Sequence, residues 1–202
     1  MVRRQENAVI GALNSVLSER GFTRHKKAWY LSEPETILVV DLQKSNWSST
    51  YYLSFGVLLR QLSQLQKPKL TECHVFQRLE SLLEKSEGRK TGQLTLPKSH
   101  EENDTFAHQL LTNPLSSITL RLDDPTFFDT TGLKPSAASK ALDLQDKTIS
   151  ETDRLALITH ALITFGLPFL RKFDSLEKIK KRLRDTDLST VFVHQGVREL
   201  LQ

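Results

Sequence analysis

The sequence predicts an α+β fold: an antiparallel meander sheet of about four strands, with an N-terminal helix and C-terminal helices packed on one face. Three observations predict it. An apolar stripe at helical spacing opens the chain. Runs rich in β-branched and aromatic residues follow, joined by connections too short for parallel crossovers. The C-terminal part is again helical in period and strongly apolar.

Each element has its own signal. Val9, Leu13, Val16 and Leu17, with Ile10, lie on one face of a helix that Gly21 ends. Residues 22–31 read as a first strand, and Glu33-Pro34-Glu35 breaks it. Ile37-Leu38-Val39-Val40-Asp41-Leu42 is the core of a second strand, residues 50–58 a third, and residues 72–79 a fourth. Residues 84–140 are polar, with Gly88, Gly92 and Pro97. They read as an irregular insertion or long loops, with a short helix at 105–112 and a short strand at 118–122. Ser150 is placed to cap an apolar helix that Gly166-Leu167-Pro168 stops. Asp174 is placed to cap a further helix buried through Leu176, Ile179 and Leu183, and a last helix covers residues 190–201.

The chain's 202 residues form one domain, residues 1–202, long enough to bury a core without disulfides or metals. Cys73 is the single cysteine, so no disulfide framework exists, and a reducing cytoplasmic setting is expected. No apolar run approaches the roughly 18 residues of a membrane helix, and no secretory signal follows Arg3-Arg4. The net charge of +4 is mild and implies no polyanion partner by itself.

Gly21-Phe22, Arg24, Trp29-Tyr30, the string Leu42-Gln43-Lys44-Ser45-x-Trp47, and Tyr52-x-x-x-Gly56 form a recognisable series. His74-x-x-x-Arg78-Leu79 and Gly166-Leu167-Pro168-Phe169 continue it. In these residues the chain resembles the bacterial domain-of-unknown-function family 4304, over most of its length and most densely from Gly21 to Gly56. The resemblance implies a fold unit and names no catalytic residue.

No catalytic signature is present. Gly88-Arg89-Lys90-Thr91-Gly92 has the wrong order for a phosphate-binding loop. None of the six histidines pair at metal-ligand spacing, so no metal or cofactor is implied. Cys73 and His74 are adjacent on a strand and so face opposite ways. The candidate binding group is Gln43, Lys44, Ser45 and Trp47, where a strand runs out into a turn. An antiparallel sheet can bring Arg24, Trp29, Tyr51 or Tyr52, His74 and Arg78 near it, combining cations with aromatic rings. The plainer reading gives the turn's polar residues to the turn itself.

Those features favour a non-enzymatic module that binds a protein partner, in the manner of an immunity protein or antitoxin. The alternative is an enzyme or sensor for a phosphorylated small molecule or nucleotide, with Arg24, Lys44, Ser45, Trp47 and Arg78 around the anion. Weak nucleic-acid binding through the basic helix from Lys178 to Arg184 is the least favoured reading, a solvated helix face being the simpler account.

Overall fold

The computed structural model describes residues 2–91, 134, 136–185 and 192–200. The expected helix at 105–112 and strand at 118–122 lie outside them. Helix α1 (Val2–Ser18) precedes the strands β1 (Thr23–His25), β2 (Ala28–Ser32), β3 (Thr36–Lys44), β4 (Tyr51–Leu59) and β5 (Val75–Arg78). Helices α2 (Leu79–Thr91), α3 (Ala137–Ala141), α4 (Glu151–Ala161), α5 (Leu167–Arg171) and α6 (Leu176–Asp185) follow. Strand β6 (Phe192–Val193) and helix α7 (Gln195–Leu200) close the described chain.

The six strands lie side by side in chain order, and every neighbouring pair is antiparallel. The fold is therefore the expected meander with helices at both ends, and among the described residues it has six strands rather than four. The first expected strand is in fact the hairpin β1–β2. Its two-residue turn, Lys26-Lys27, sets Lys26 at φ 58°, a left-handed conformation that a lysine rarely adopts and that the sequence does not advertise. Part of the expected last helix is strand β6, which adds Val193 beside Val75 and Phe192 beside Phe76. The polar stretch after Glu84, read as loop, continues helix α2 as far as Thr91.

Helix α1 ends as expected. Gly21 takes φ 84°, Phe22 N–H bonds back to Leu17 O at 3.1 Å, and Gly21 N–H bonds to Ser18 O at 3.0 Å. That is the paired bonding by which a left-handed glycine satisfies the last carbonyls of a helix. The stripe Val9, Leu13, Val16 and Leu17 is buried against one face of the sheet, with Leu38, Val40 and Leu42 of β3 and Leu53, Phe55 and Val57 of β4. The α4 helix adds Leu157, Ile158 and Ala161 to the same core.

Ser150 caps α4, its hydroxyl accepting Asp153 N–H at 3.1 Å. Gly166-Leu167-Pro168 does not stop that helix. The chain widens into a π-helical turn at Leu162–Gly166 and continues as α5. Pro168 sits in the first turn of α5, where the N–H it lacks costs little. The whole run Glu151–Arg171 is long and apolar enough to cross a membrane by length and composition, and 61% of its apolar window is buried inside the fold. Asp174 does not cap α6. Ser175 accepts Lys178 N–H, and Asp174 instead pairs with the Lys178 ammonium at 2.8 Å.

The other face of the sheet holds a smaller apolar group, Ile37, Val39 and Leu58 with Cys73, and Tyr30 and Phe76 pack beside it. The connection between β4 and β5, which includes Leu70 and Cys73, covers that end of the face.

Candidate functional site

Strand alternation decides which candidates meet. Along β3, Leu38, Val40 and Leu42 point to the helices, so Ile37, Val39, Asp41 and Gln43 point the other way. The register then builds rows on that second face. Asp41 lies opposite Ser54, and Ser54 opposite Arg78. In the next row Gln43 lies opposite Tyr52. Directly opposed residues on one face of a sheet have Cβ atoms about 5 Å apart, so these side chains form one continuous surface.

Its geometry is specific. The Arg78 guanidinium stacks over the Tyr52 ring, 4.6 Å from the centroid. Gln43 Nε2 donates to Asp41 Oδ2 at 2.7 Å. Burial raises the Asp41 carboxyl above its ordinary value, and the Gln43 bond only partly offsets this. Burial, and next the Asp41 charge, raise the Tyr30 phenol, which keeps its proton and remains a donor. Ser54 is fully buried and its Oγ has no hydrogen-bond partner among the described residues, an unusual state for a native hydroxyl. Gln43 and Arg78 are exposed, while Tyr30, Asp41 and Tyr52 are half-buried. At the β6 edge the Phe76 and Phe192 rings stack with centroids 4.5 Å apart, and Phe192 is 48% exposed.

Of the residues expected to gather here, Gln43 and Arg78 do, on either side of Tyr52. Trp47 caps the same end of the sheet, at the tip of the β3–β4 hairpin, and its side chain is 96% exposed. It does not cover the sheet edge. Ser45 serves the turn, its hydroxyl accepting Trp47 N–H at 3.2 Å, and Ser45 N–H bonds Thr50 O at 2.9 Å.

The rest disperse. Trp29 is fully buried on the helix side and donates its indole N–H to Asn14 Oδ1 at 3.1 Å, so it is a core residue. Arg24 shares that side at the β1 edge and donates from Nε to Lys26 O at 2.7 Å, closing its own hairpin. Lys44, one residue beyond Gln43, falls on the opposite face, where its charge acts on Glu6 of α1. His74 lies toward the far end of the sheet, its Nδ1 accepting Leu59 N–H at 2.8 Å. The phosphate cluster expected from Arg24, Lys44, Ser45, Trp47 and Arg78 is therefore not assembled. Tyr52, one of the two tyrosines expected near the group, does join it, while Tyr51 turns to the core; buried Ser54 beneath it and Phe192 at the edge were not among the expected site residues. The alternation Tyr52-Leu53-Ser54-Phe55-Gly56 was the available signal.

The hairpin is braced from below. Arg154, fully buried, donates Nη1 to Ala141 O and Asp143 O at 2.5 Å and Nη2 to Asp146 O at 2.6 Å. The loop so held pairs with the hairpin base. Tyr51 N–H bonds Leu142 O at 2.9 Å, and Ser49 Oγ donates to Asp143 Oδ1 at 2.6 Å.

Residues 13–172 match the model of a family described as a domain of unknown function, DUF4304. No curated protein and no solved structure matches the chain.

Proposed function

The chain belongs to the DUF4304 family, and from that premise we propose that it is a non-enzymatic protein-binding module, acting in the bacterial cytoplasm as an immunity protein or antitoxin does. The recognition surface is the Trp47 hairpin tip together with Gln43, Tyr52 and Arg78 on the sheet face beneath it. The exposed Trp47 carries the reading. A tryptophan almost wholly in solvent, on a turn held by its own serines and braced by the Arg154 loop, is an apolar side chain offered to a partner. Trp, Tyr and Arg are the residue types that dominate binding energy at protein interfaces; Arg78 stacks on Tyr52, and Trp47 stands at the tip of the hairpin that carries Tyr52. The Arg78 guanidinium sets the partner's chemistry: a protein surface presenting a carboxylate beside an apolar pocket for Trp47.

The test is copurification of the tagged chain from its host, with partners quantified by mass spectrometry, followed by affinity measurements on the partner found. Trp47→Ala and Arg78→Ala should each leave the circular dichroism spectrum unchanged and weaken binding about thirtyfold or more, as interface anchors do. No stoichiometric protein, or one whose affinity ignores both substitutions, rejects the reading.

A further inference from the structure

At the opposite end of β3 from Trp47 lies a second feature. Between α5 and α6 opens a groove of about 360 Å³, lined among the described residues by Arg171, Lys172, Lys178, Lys181 and Arg182. From Arg171 to Arg184 the chain carries seven basic residues against two acidic ones.

The groove is built by the fold. The turn between β2 and β3 fixes the helices: Glu35 Oε2 accepts Leu176 N–H at 2.9 Å, Thr36 Oγ1 donates to Asp174 O at 2.7 Å, and Glu33 pairs with Arg171 at 2.7 Å. Lys178, Lys181 and Arg182 stand at i, i+3 and i+4, on one face of α6. Like charges at that spacing repel and destabilise a helix. Among the described residues, the carboxylates in reach offset only part of this. Asp174 and Glu33 are occupied with Lys178 and Arg171, and Glu177 lies outside the groove's lining. Among the described residues the Lys181 and Arg182 side chains make no ion pair or hydrogen bond.

We propose that this groove binds a small anion carrying two or more phosphoryl groups. Lys181 and Arg182, without a side-chain partner among the described residues, line the groove beside Arg171 and Lys178, whose half-exposed ion pairs with Glu33 and Asp174 leave the lining with more cation than one carboxylate needs. Arginine forks and lysine point charges together are the chemistry that holds phosphoryl oxygens. The volume falls in the range of about 300–1,000 Å³ typical of small-molecule sites, rather than that of a long track for a nucleic-acid backbone. The site shares no residue with the Trp47 surface and does not depend on it.

The probe is inorganic tripolyphosphate, followed by isothermal titration calorimetry on the full chain, with monophosphate as comparison. Saturable one-to-one binding of tripolyphosphate is expected, tighter than monophosphate and weakened by added salt. The Lys181→Gln, Arg182→Gln double variant should reduce affinity about tenfold or more, while Arg24→Gln, a cation remote from the groove, should not. Two further arms separate the sources of the chemistry. Competition by a nucleoside triphosphate marks a soluble ligand. Cosedimentation with phosphatidylcholine vesicles only when they contain a bisphosphorylated phosphatidylinositol marks a lipid headgroup. Either result supports the site. No saturable binding, binding indifferent to the double variant in a folded protein, or single-stranded DNA bound more tightly than tripolyphosphate overturns it.

Discussion

Replacing Arg154 with methionine tests whether the carbonyl clamp shapes the Trp47 hairpin. The guanidinium is fully buried and makes three short bonds to the carbonyls of Ala141, Asp143 and Asp146. Burial lowers its pKa, and the nearby Asp146 and Asp143 charges oppose that shift. Hydrogen bonds to a charged group are worth about 1.5–3 kcal/mol each. Against their loss stands the recovered cost of burying a charge, and methionine fills much of the same volume. Asp143 O keeps the Asp146 N–H at 3.2 Å, so the Ala141 and Asp146 carbonyls, which lose their donor, decide the sign. A net loss of about 3–5 kcal/mol is expected, the scale seen when one side of a buried charged network is removed. With a urea m-value of about 2 kcal/mol/M, the unfolding midpoint should fall by roughly 2 M.

Hydrogen exchange gives the second reading. The Tyr51 amide, bonded to Leu142 O at 2.9 Å, should exchange faster in the variant. Amides of β3 within the buried core should keep their protection relative to global stability. Arg154→Lys, with one compact ammonium in place of a planar fork, should fall between the two. A methionine variant within about 0.5 kcal/mol of the parent, the range of ordinary surface changes, with Tyr51 equally protected, would refute the reasoning.

Three other outcomes follow from the same geometry. In Gly166→Ala the new methyl would overlap the Phe55 ring; helix propensity favours the change by about 1 kcal/mol and overpacking opposes it by about 1–3 kcal/mol, so a denaturant titration should show net destabilisation, relieved by adding Phe55→Leu, and a stabilised Gly166→Ala would contradict the packing. Burial, with the neighbouring His194, lowers the His74 pKa, so the unfolded chain binds a proton that the folded one refuses; its contribution to stability is present above about pH 6.5 and lost as pH falls through the folded value, and His74→Asn, which keeps an acceptor for Leu59 N–H, should flatten that slope in urea titrations. Burial raises the Asp41 pKa, so its contribution is present below the ordinary aspartate value of about 3.9 and lost as pH rises through the folded value; Asp41→Asn should be more stable than the parent at neutral pH and indistinguishable from it in acid, and a less stable variant at neutral pH would mean the carboxylate is fully satisfied where it stands.

The parts of the fold set by periodicity were legible. The α1 stripe, the β3 and β4 cores and the Ser150 cap follow from residue spacing alone. What escaped depends on tertiary context. Lys26 turns the β1–β2 hairpin without the glycine or asparagine that announces such a turn. Strand β6 is two residues long and carries no period; Phe192 and Val193 become a strand because β5 offers them an unpaired edge. Pro168 reads as a stop, yet the π-helical turn before it absorbs the missing donor.

The site divided along the same line. Gln43 and Arg78 were identifiable as polar residues on strands, but the face that each strand shows the helices is not written in either residue. Arg24 and Trp29 pair across β1 and β2 and so share one side, and once α1 packs there the tryptophan is core. Lys44 misses the surface by a single step of alternation. The basic groove was half visible. The cations of α6 were evident in sequence, whereas Arg171 and Lys172 join them only because the β2–β3 turn ties Asp174 and Leu176 in place.

The two proposed surfaces sit at opposite ends of β3, whose nine residues span roughly 30 Å. Substitutions that far apart, with no shared partner, ordinarily act independently. One element does join them. Thr36 opens β3 under α6, and the strand runs without interruption to the hairpin that carries Trp47, with the core face of β4 along its whole length. A packed strand of this kind transmits nothing unless it has two arrangements to choose between, and the ladder here offers one register fixed on both sides. An anion in the groove would therefore stabilise the chain by mass action, while leaving the intrinsic affinity of the Trp47 surface as it was.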